Sequence, residues 1–493
     1  MGLLALAGLA LRAGSRSPLW LDEALTVEIA RLPIVSMLDA LRQDGAPPLY
    51  YLLLHGWMKA LDTGDVAVRS LSAVFSIATI PVLYLIGRRR GAGLTAVGIA
   101  VLFATSPFAI RYATETRMYS LVALIVAVGW LVVADALRQP TALRLSAVGL
   151  LSGLLLLTHY WGFYLLAGLA GVGVVQWRSR ADLRSPVLRV GVAAAAGGAL
   201  LFAPWVPTFV YQAAHTGTPW GTPPGPVGVA VTTLVDLGGG PHPEGQALAV
   251  VLAGLILLAL MGTAIDRHRI EVDVRTRPGV RTEVAIAALT VAAGVGVGLL
   301  TGAAWASRYN SVVIPLVMVA AAYGITALAD QRLAVIVLIV AAALGVAGGL
   351  RNATTDRTQA RETAATINAA GEPGALVVYC PDQVAPDVQR LLGDGFRQVT
   401  FPDFDGPQLI DWTDYEERVS VADPVAFAED VLRRASGQPV FYVWMSGYRT
   451  HGKLCEKIND TLAGGSVGSV QLQEPAKDLF ERHIVWVHPE RAS

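Results

Sequence analysis

Two adjacent carboxylates, Asp22 and Glu23, follow the first apolar run of the chain, in the stretch Ser17-Pro18-Leu19-Trp20-Leu21-Asp22-Glu23-Ala24-Leu25-Thr26. Carboxylates beside a bilayer are costly, about 2.5–3.5 kcal/mol each at the membrane centre, so they need water or a task. A positioned carboxylate can take the proton of a sugar hydroxyl as that hydroxyl attacks an anomeric carbon. Asp22 is read as this base. Neighbouring side chains point in different directions, so one of the pair acts directly and Glu23 is assigned to substrate contact. The bland alternative is a solvated loop pair, or an N-cap for a helix running through Ala30.

A second cluster is Arg111-Tyr112-Ala113-Thr114-Glu115-Thr116-Arg117-Met118-Tyr119, which packs two cations and one carboxylate into a short connector. Arg111 and Arg117 carry the forked donors that clamp a leaving phosphate. Glu115 would orient an arginine, bind a metal or hold the acceptor. Interfacial anchoring by Arg and Tyr is the competing reading. His159-Tyr160-Trp161 closes one apolar run and offers substrate contacts, although a lone histidine there is commonly structural. Arg308-Tyr309-Asn310 supplies a further cation for a phosphate, against a simple snorkelling role.

These residues must be positioned by membrane helices. The 493 residues are 54% hydrophobic and 15% charged, with mean hydropathy +0.51. Ordinary soluble domains carry about 25% charged residues. Apolar runs are expected to span at roughly 66–86, 92–109, 119–137, 143–158, 160–177, 188–210, 246–264, 282–303, 311–329 and 333–350. The run from Gly2 to Leu11 is short and lacks a basic n-region. It is read as a span tilting through to about Leu21, or as a late start site, rather than a cleaved signal. That makes about 11 spans, in a membrane domain over 1–350 with polar segments at 13–65 and 211–245. Residues 44–57 are read as lying on the membrane surface. The segment 211–245, rich in Gly, Pro and Thr, is read as a long loop, either a plain connector or a lid.

Arginines recur in every second connector: Arg88 to Arg90, Arg138 and Arg144, Arg178 to Arg189, Arg267 to Arg281, then Arg332. That side is expected to be cytoplasmic. The alternate connectors carry Asp22-Glu23, the 111–119 cluster, His159-Tyr160, the 211–245 segment and Arg308-Tyr309, and converge on the outer face of the plasma membrane. Beyond Leu350 the composition turns soluble. Apolar runs at 375–380, 397–401, 439–445 and 483–488 read as strands, with helices at 384–392 and 453–462. Residues 351–493 are thus expected to form a small extracytoplasmic α/β domain. Cys380 and Cys455, the only cysteines, lack metal-site spacing and are equally compatible with a disulfide or two buried thiols. The net charge is zero, so no basic field points to nucleic acid. The chain has no P-loop, HExxH or GxSxG motif, so nucleotide hydrolysis, zinc proteolysis and the common serine hydrolases lack support.

Four blocks resemble a known family: Leu19-Trp20-Leu21-Asp22-Glu23-Ala24, Pro47-Pro48-Leu49-Tyr50-Tyr51, Tyr112-Ala113-Thr114-Glu115-Thr116-Arg117-Met118-Tyr119 and Ser307-Arg308-Tyr309. They are similar to the conserved blocks of glycosyltransferase family 39, in which protein O-mannosyltransferases stand beside the related aminoarabinose transferases of lipid A. The C-terminal domain looks like the tail of actinobacterial members. The resemblance implies a polytopic GT-C fold, a polyprenyl-monophosphate sugar donor, and inversion at the anomeric carbon. It puts Asp22 on the family's first-loop base, Glu115 and Arg117 in its second acidic block, and Arg308 near the lipid phosphate. Relatives often carry His or Lys before the Pro-Pro pair, where this chain has Ala46. A cationic or metal-binding contact is therefore missing, and a divalent metal stays an open possibility with no assigned ligands.

The expected activity is transfer of a sugar, mannose as first choice, to a protein, glycolipid or polysaccharide acceptor outside the membrane. A polyprenyl-lipid flippase would favour charges near the midplane of spans, and the spans from 66 to 350 are nearly free of them. A non-catalytic envelope assembly protein is disfavoured by the clustering of acidic and basic groups in several outer connectors.

Overall fold

The computed structural model describes residues 1–90, 93–223, 225–464, 469–473 and 479–488. The chain divides into two compact units. The first comprises 1–15, 46–207 and 223–354; the second comprises 16–45, 208–222 and 355–493. Residues 16–45 and 208–222, expected as loops of the membrane domain, therefore fold with the C-terminal part.

The first unit is helical. Among the described residues, six helices are long and apolar enough to cross a bilayer, and a seventh is counted if the bent pair Gly93–Thr105 and Pro107–Ala113 is one span. Reaching the expected eleven would require the four shorter apolar helices, Gly2–Ala13, Ala142–Leu156, Pro226–Gly238 and Ile314–Ala327, to span as well.

Gly93–Thr105 and Pro107–Ala113 meet at a bend of 53°. Ser106 caps the second helix by accepting from the Ala109 amide, and Pro107 occupies its first turn. A broken ladder frees carbonyls, which inside a membrane protein need new partners. Arg12 supplies them. Its guanidinium donates to the carbonyls of Phe103 at 2.8 Å and Ala104 at 2.5 Å, to Gly8 at 2.7 Å, and to Ser76 Oγ at 3.0 Å. Arg12 is fully buried. It therefore does not flank the first apolar run as an interfacial charge but holds the break that aims Pro107–Ala113. Gly8 permits this approach, since a Cβ there would meet the Ala104 carbonyl oxygen at 2.1 Å.

The 211–245 segment is not a loop. Helix Val206–His215 enters it and helix Pro226–Gly238 fills its middle; residue 224 lies outside the described residues. Proline at the first helical turn, a run of apolar residues, and Gly239 in the left-handed region at the C-terminus account for the second helix. The Gly-Pro-Thr composition of the flanks hid it.

The second unit is built on a five-stranded sheet ordered 397–400, 376–380, 440–444, 484–488, 469–472. The first three strands run parallel and the last two pair antiparallel. Alternate residues feed opposite faces. Leu376, Val378 and Cys380 pack with Phe427, Val431 and Ile458, whereas Val377 and Tyr379 pack with Ile367, Val384 and Val388. Both faces are covered, which is why these strands read as continuous apolar runs. The expected strands are present. The helix expected at 384–392 shrinks to Pro386–Gln389, and helices Ala360–Ala370, Tyr415–Val421 and Pro424–Ala435 were not anticipated.

Cys380 and Cys455 form a disulfide across 75 residues of sequence. It joins the end of a central strand to helix Leu454–Ala463. Replacing both by alanine is expected to destabilise the second unit by about 2–5 kcal/mol. A lowered thermal midpoint, reproduced in wild type by reductant, checks this; an unchanged midpoint would show the bridge to be dispensable.

Candidate active site

Within the first unit, the break after Thr105 points helix Pro107–Ala113 and its succeeding turn into a polar cluster. Arg111 Nε lies 3.9 Å from Glu115 Oε2, an i,i+4 pair in which the carboxylate is fully buried. The Arg117 amide donates to the Glu115 carbonyl at 2.8 Å, which tightens the turn. The Arg117 guanidinium donates to Tyr51 Oη at 3.3 Å. Ser72 Oγ, paired with Tyr50 Oη at 2.8 Å, donates to the Arg117 carbonyl at 3.0 Å. The Pro-Pro-Leu-Tyr-Tyr block thus supports the second cluster through both of its tyrosines.

An aromatic column continues from there. Tyr112 meets Tyr119 at 4.9 Å between ring centroids, Tyr119 meets His159 at 5.8 Å, and His159 meets Tyr309 at 5.5 Å. Tyr309 stacks on Trp161 at 5.1 Å. Arg308 lies over the Tyr309 ring at 5.9 Å. His159 Nδ1 accepts from the Trp161 amide at 3.1 Å, which assigns the proton of the neutral ring to Nε2. Burial, and then the charges of Arg117 and Arg308, hold this imidazole down to about 3. The ring is held in its neutral form. Its place among two guanidiniums makes it a polar spacer with one N–H to offer.

Helix Pro226–Gly238 adds a carboxylate that sequence reasoning missed. Asp236 hydrogen-bonds Ser307 and faces Arg111 electrostatically. Thr233 Oγ1 accepts from Asn310 Nδ2 at 3.2 Å, tying the same helix to the Ser307–Val312 turn. Asp236 was detectable as a single acidic residue inside an apolar stretch. Tyr51 and Tyr112 carried no such signal. Arg111, Glu115, Arg117, His159, Arg308 and Tyr309 are thus brought together. Tyr160 is directed differently: its hydroxyl accepts from Trp205 Nε1 at 2.9 Å, and its ring meets Phe202.

Asp22 and Glu23 belong to the second unit, on helix Leu21–Arg31. Neither caps it, because Trp20 is the N-cap residue; both lie in the first turn, where the helix dipole favours carboxylates. Glu23 is fully buried and pairs with Arg357 at 3.4 Å, while Ser17 Oγ accepts from the Arg357 amide at 2.9 Å. Glu28 accepts from Arg31 at 2.9 Å and from Arg390 at 3.2 Å. The Leu21 amide donates to Glu481 at 2.7 Å. Glu23, expected to touch substrate, is seated against Arg357. Asp22 is half-buried, and Thr26 Oγ1 donates to its main-chain carbonyl at 2.6 Å. Its carboxylate lies close enough to the buried Tyr448 phenol to help raise the latter's proton affinity, after burial and Asp382.

Apolar helices followed by a C-terminal mixed sheet make this a GT-C fold. The likeness in the sequence blocks holds at that level. ArnT from Cupriavidus metallidurans bound to undecaprenyl phosphate superposes with a TM-score of 0.61, at 14% identity over 99% of this chain and 97% of that one. Its apo state gives 0.61 at 15% identity, covering 99% and 96%. The oligosaccharyltransferase AglB from Archaeoglobus fulgidus, in complex with an inhibitory peptide and a dolichol-phosphate, gives 0.51 at 12% identity, covering 89% of this chain and 68% of that one. No family model and no curated protein matches the sequence.

Proposed function

We propose that the chain is an inverting glycosyltransferase that moves a sugar from a polyprenyl-monophosphate donor to an acceptor outside the plasma membrane. The observation that carries this is the charge in the Arg111–Arg308 cluster. Three guanidiniums, Arg111, Arg117 and Arg308, stand against two carboxylates, Glu115 and Asp236, around a histidine held neutral. The three guanidiniums are only partly buried, so they can meet a ligand at the site. A phosphodiester-linked sugar carries a single negative charge, which such a group of forked donors would bind. Arg117 and Arg308, both near enough to act on His159 electrostatically, would stabilise the charge that grows on the phosphate as the sugar leaves. Glu115 would hold Arg111 in its forked orientation toward the same group. Asp22 would take the acceptor proton as the hydroxyl attacks from the face opposite the phosphate, which inverts the anomeric carbon.

The lipid phosphates bound to ArnT and AglB support a lipid-linked donor here, since the fold is shared. The Cys380–Cys455 disulfide supports an oxidising, extracytoplasmic location for the second unit. Membership of family 39 and mannose as the sugar rest on the sequence blocks; the acceptor is a protein hydroxyl, a glycolipid or an envelope polysaccharide. The test is transfer of radiolabelled mannose from polyprenyl-phosphate-mannose to a crude envelope fraction by the purified chain. Label in the envelope fraction and release of polyprenyl phosphate are expected. Absence of transfer from this donor and from other polyprenyl-phosphate sugars would overturn the reading.

A further inference from the structure

A buried constellation in the second unit takes no part in the proposed sugar transfer. Asp387, Glu481 and His483 are all buried, and one potential ligand atom from each lies within 4.8 Å of the others. Two separate parts of the chain deliver them. Asp387 sits in the short helix Pro386–Gln389. Glu481 and His483 sit on the segment leading into the last strand, and this segment pairs with the chain at Thr358.

Each group is oriented by a neighbour. Thr358 Oγ1 donates to Asp387 Oδ2 at 2.5 Å, and the Val388 amide donates to Asp387 Oδ1 at 2.8 Å. Thr363 Oγ1 lies 3.0 Å from His483 Nδ1, and the His483 amide donates to Gln359 Oε1 at 2.8 Å. Glu481 Oε1 accepts from the Leu21 amide at 2.7 Å. Its other oxygen, Oε2, is buried and meets no hydrogen-bond donor among the described residues. Glu481 is 4% exposed and directed at Asp387.

Two carboxylates facing each other in a dry site cannot both stay charged without a cation or a proton between them. A shared proton would satisfy the carboxylate pair alone. It leaves unexplained why an imidazole, braced through its other nitrogen, completes the group. That bracing is the arrangement by which proteins fix the tautomer of a metal-binding histidine.

We propose that Asp387, Glu481 and His483 bind a zinc ion, with His483 Nε2, Asp387 Oδ2 and Glu481 Oε2 as ligands and water in the fourth position. Imidazole plus two carboxylates is a donor set that zinc accepts at about 2.0–2.2 Å. Ligands around such an ion stand about 3.3–3.6 Å apart, so small side-chain adjustments close the present spacing. Because Glu481 also receives the Leu21 amide, the ion would fix the turn from which Asp22 projects. The site is structural and stands whether or not the proposed reaction does.

The experiment uses the full chain in detergent, without a histidine tag, stripped with chelator and titrated with zinc chloride. Metal content is measured after gel filtration, and the thermal midpoint is followed in parallel. Wild type is expected to retain a single zinc ion and to gain thermal stability. His483→Ala and Glu481→Gln are expected to lose the ion and to melt at the metal-free midpoint, whereas His215→Ala, an exposed histidine elsewhere in the unit, keeps it. Glu481→Gln separates the alternatives, since its amide imitates a protonated carboxyl. A wild type that retains no zinc would overturn the site, and a Glu481→Gln variant at least as stable as wild type would then assign a shared proton in its place. Should His483→Ala fail to fold, the metal content of wild type alone decides.

Discussion

Asp22→Asn is expected to reduce sugar transfer by about 10²–10⁴-fold, the usual contribution of a positioned general base. The amide is isosteric with the carboxylate but cannot accept the acceptor's proton. The contacts that seat helix Leu21–Arg31 come from other atoms: the Leu21 amide on Glu481, Glu23 on Arg357 and Glu28 on Arg390. Expression, thermal midpoint and binding of the lipid donor should therefore stay near wild type, and the loss should fall in kcat. Glu23→Gln provides the contrast. It removes the charge paired with Arg357, which is 5% exposed, and breaking a buried pair in this way costs about 3–5 kcal/mol. That variant should fail in stability before it fails in chemistry. Turnover by Asp22→Asn at the wild-type rate would remove Asp22 from the mechanism.

Arg117→Met is expected to lower kcat by about 10²–10³-fold, as loss of one donor to a developing oxyanion does. Methionine preserves much of the aliphatic stem, so the Ser72 hydrogen bond to the residue's main-chain carbonyl persists. What disappears is the guanidinium between Tyr51 and His159. Arg117→Lys should recover part of the rate, because it restores the charge without the fork. Competition by free polyprenyl phosphate reads the same contact in a second way: its inhibition should weaken in Arg117→Met and in Arg308→Met. Inhibition and turnover both unchanged in the two variants would contradict a phosphate role for this cluster.

How far these sites could be read from the sequence depended on how local their contacts are. Arg111 and Glu115 are a helical turn apart, and the 111–119 stretch displayed its charges together in an otherwise apolar neighbourhood. His159 and Arg308 stood out for the same reason. The contacts that fix Asp22 were invisible, because Arg357 lies 334 residues beyond Glu23 and Glu481 lies 460 residues beyond Leu21. The pairing of Glu23 was hidden on that account, since two adjacent carboxylates look alike until one acquires a distant arginine. Arg12 was equally opaque, because its role depends on a helix break at Ser106 that hydropathy alone does not register. The strands of the second unit were legible from apolar runs. The disulfide was left undecided because spacing carries no information about which face Cys455 presents.

The three-piece construction of the second unit imposes an order on biogenesis. Residues 16–45 are made before the helices from Leu49 to Thr354, yet the side chains that anchor them, Arg357, Arg390 and Glu481, are made after those helices. Every intervening span has to be inserted before the helix bearing Asp22 finds its seat. The nascent chain therefore carries this segment unassembled for most of its synthesis, and a chain terminated after Thr354 would insert its helices yet leave Leu21–Arg31 without these partners. Synthesis of the segment from Arg357 to Glu481 is thus the step that seats the helix bearing Asp22.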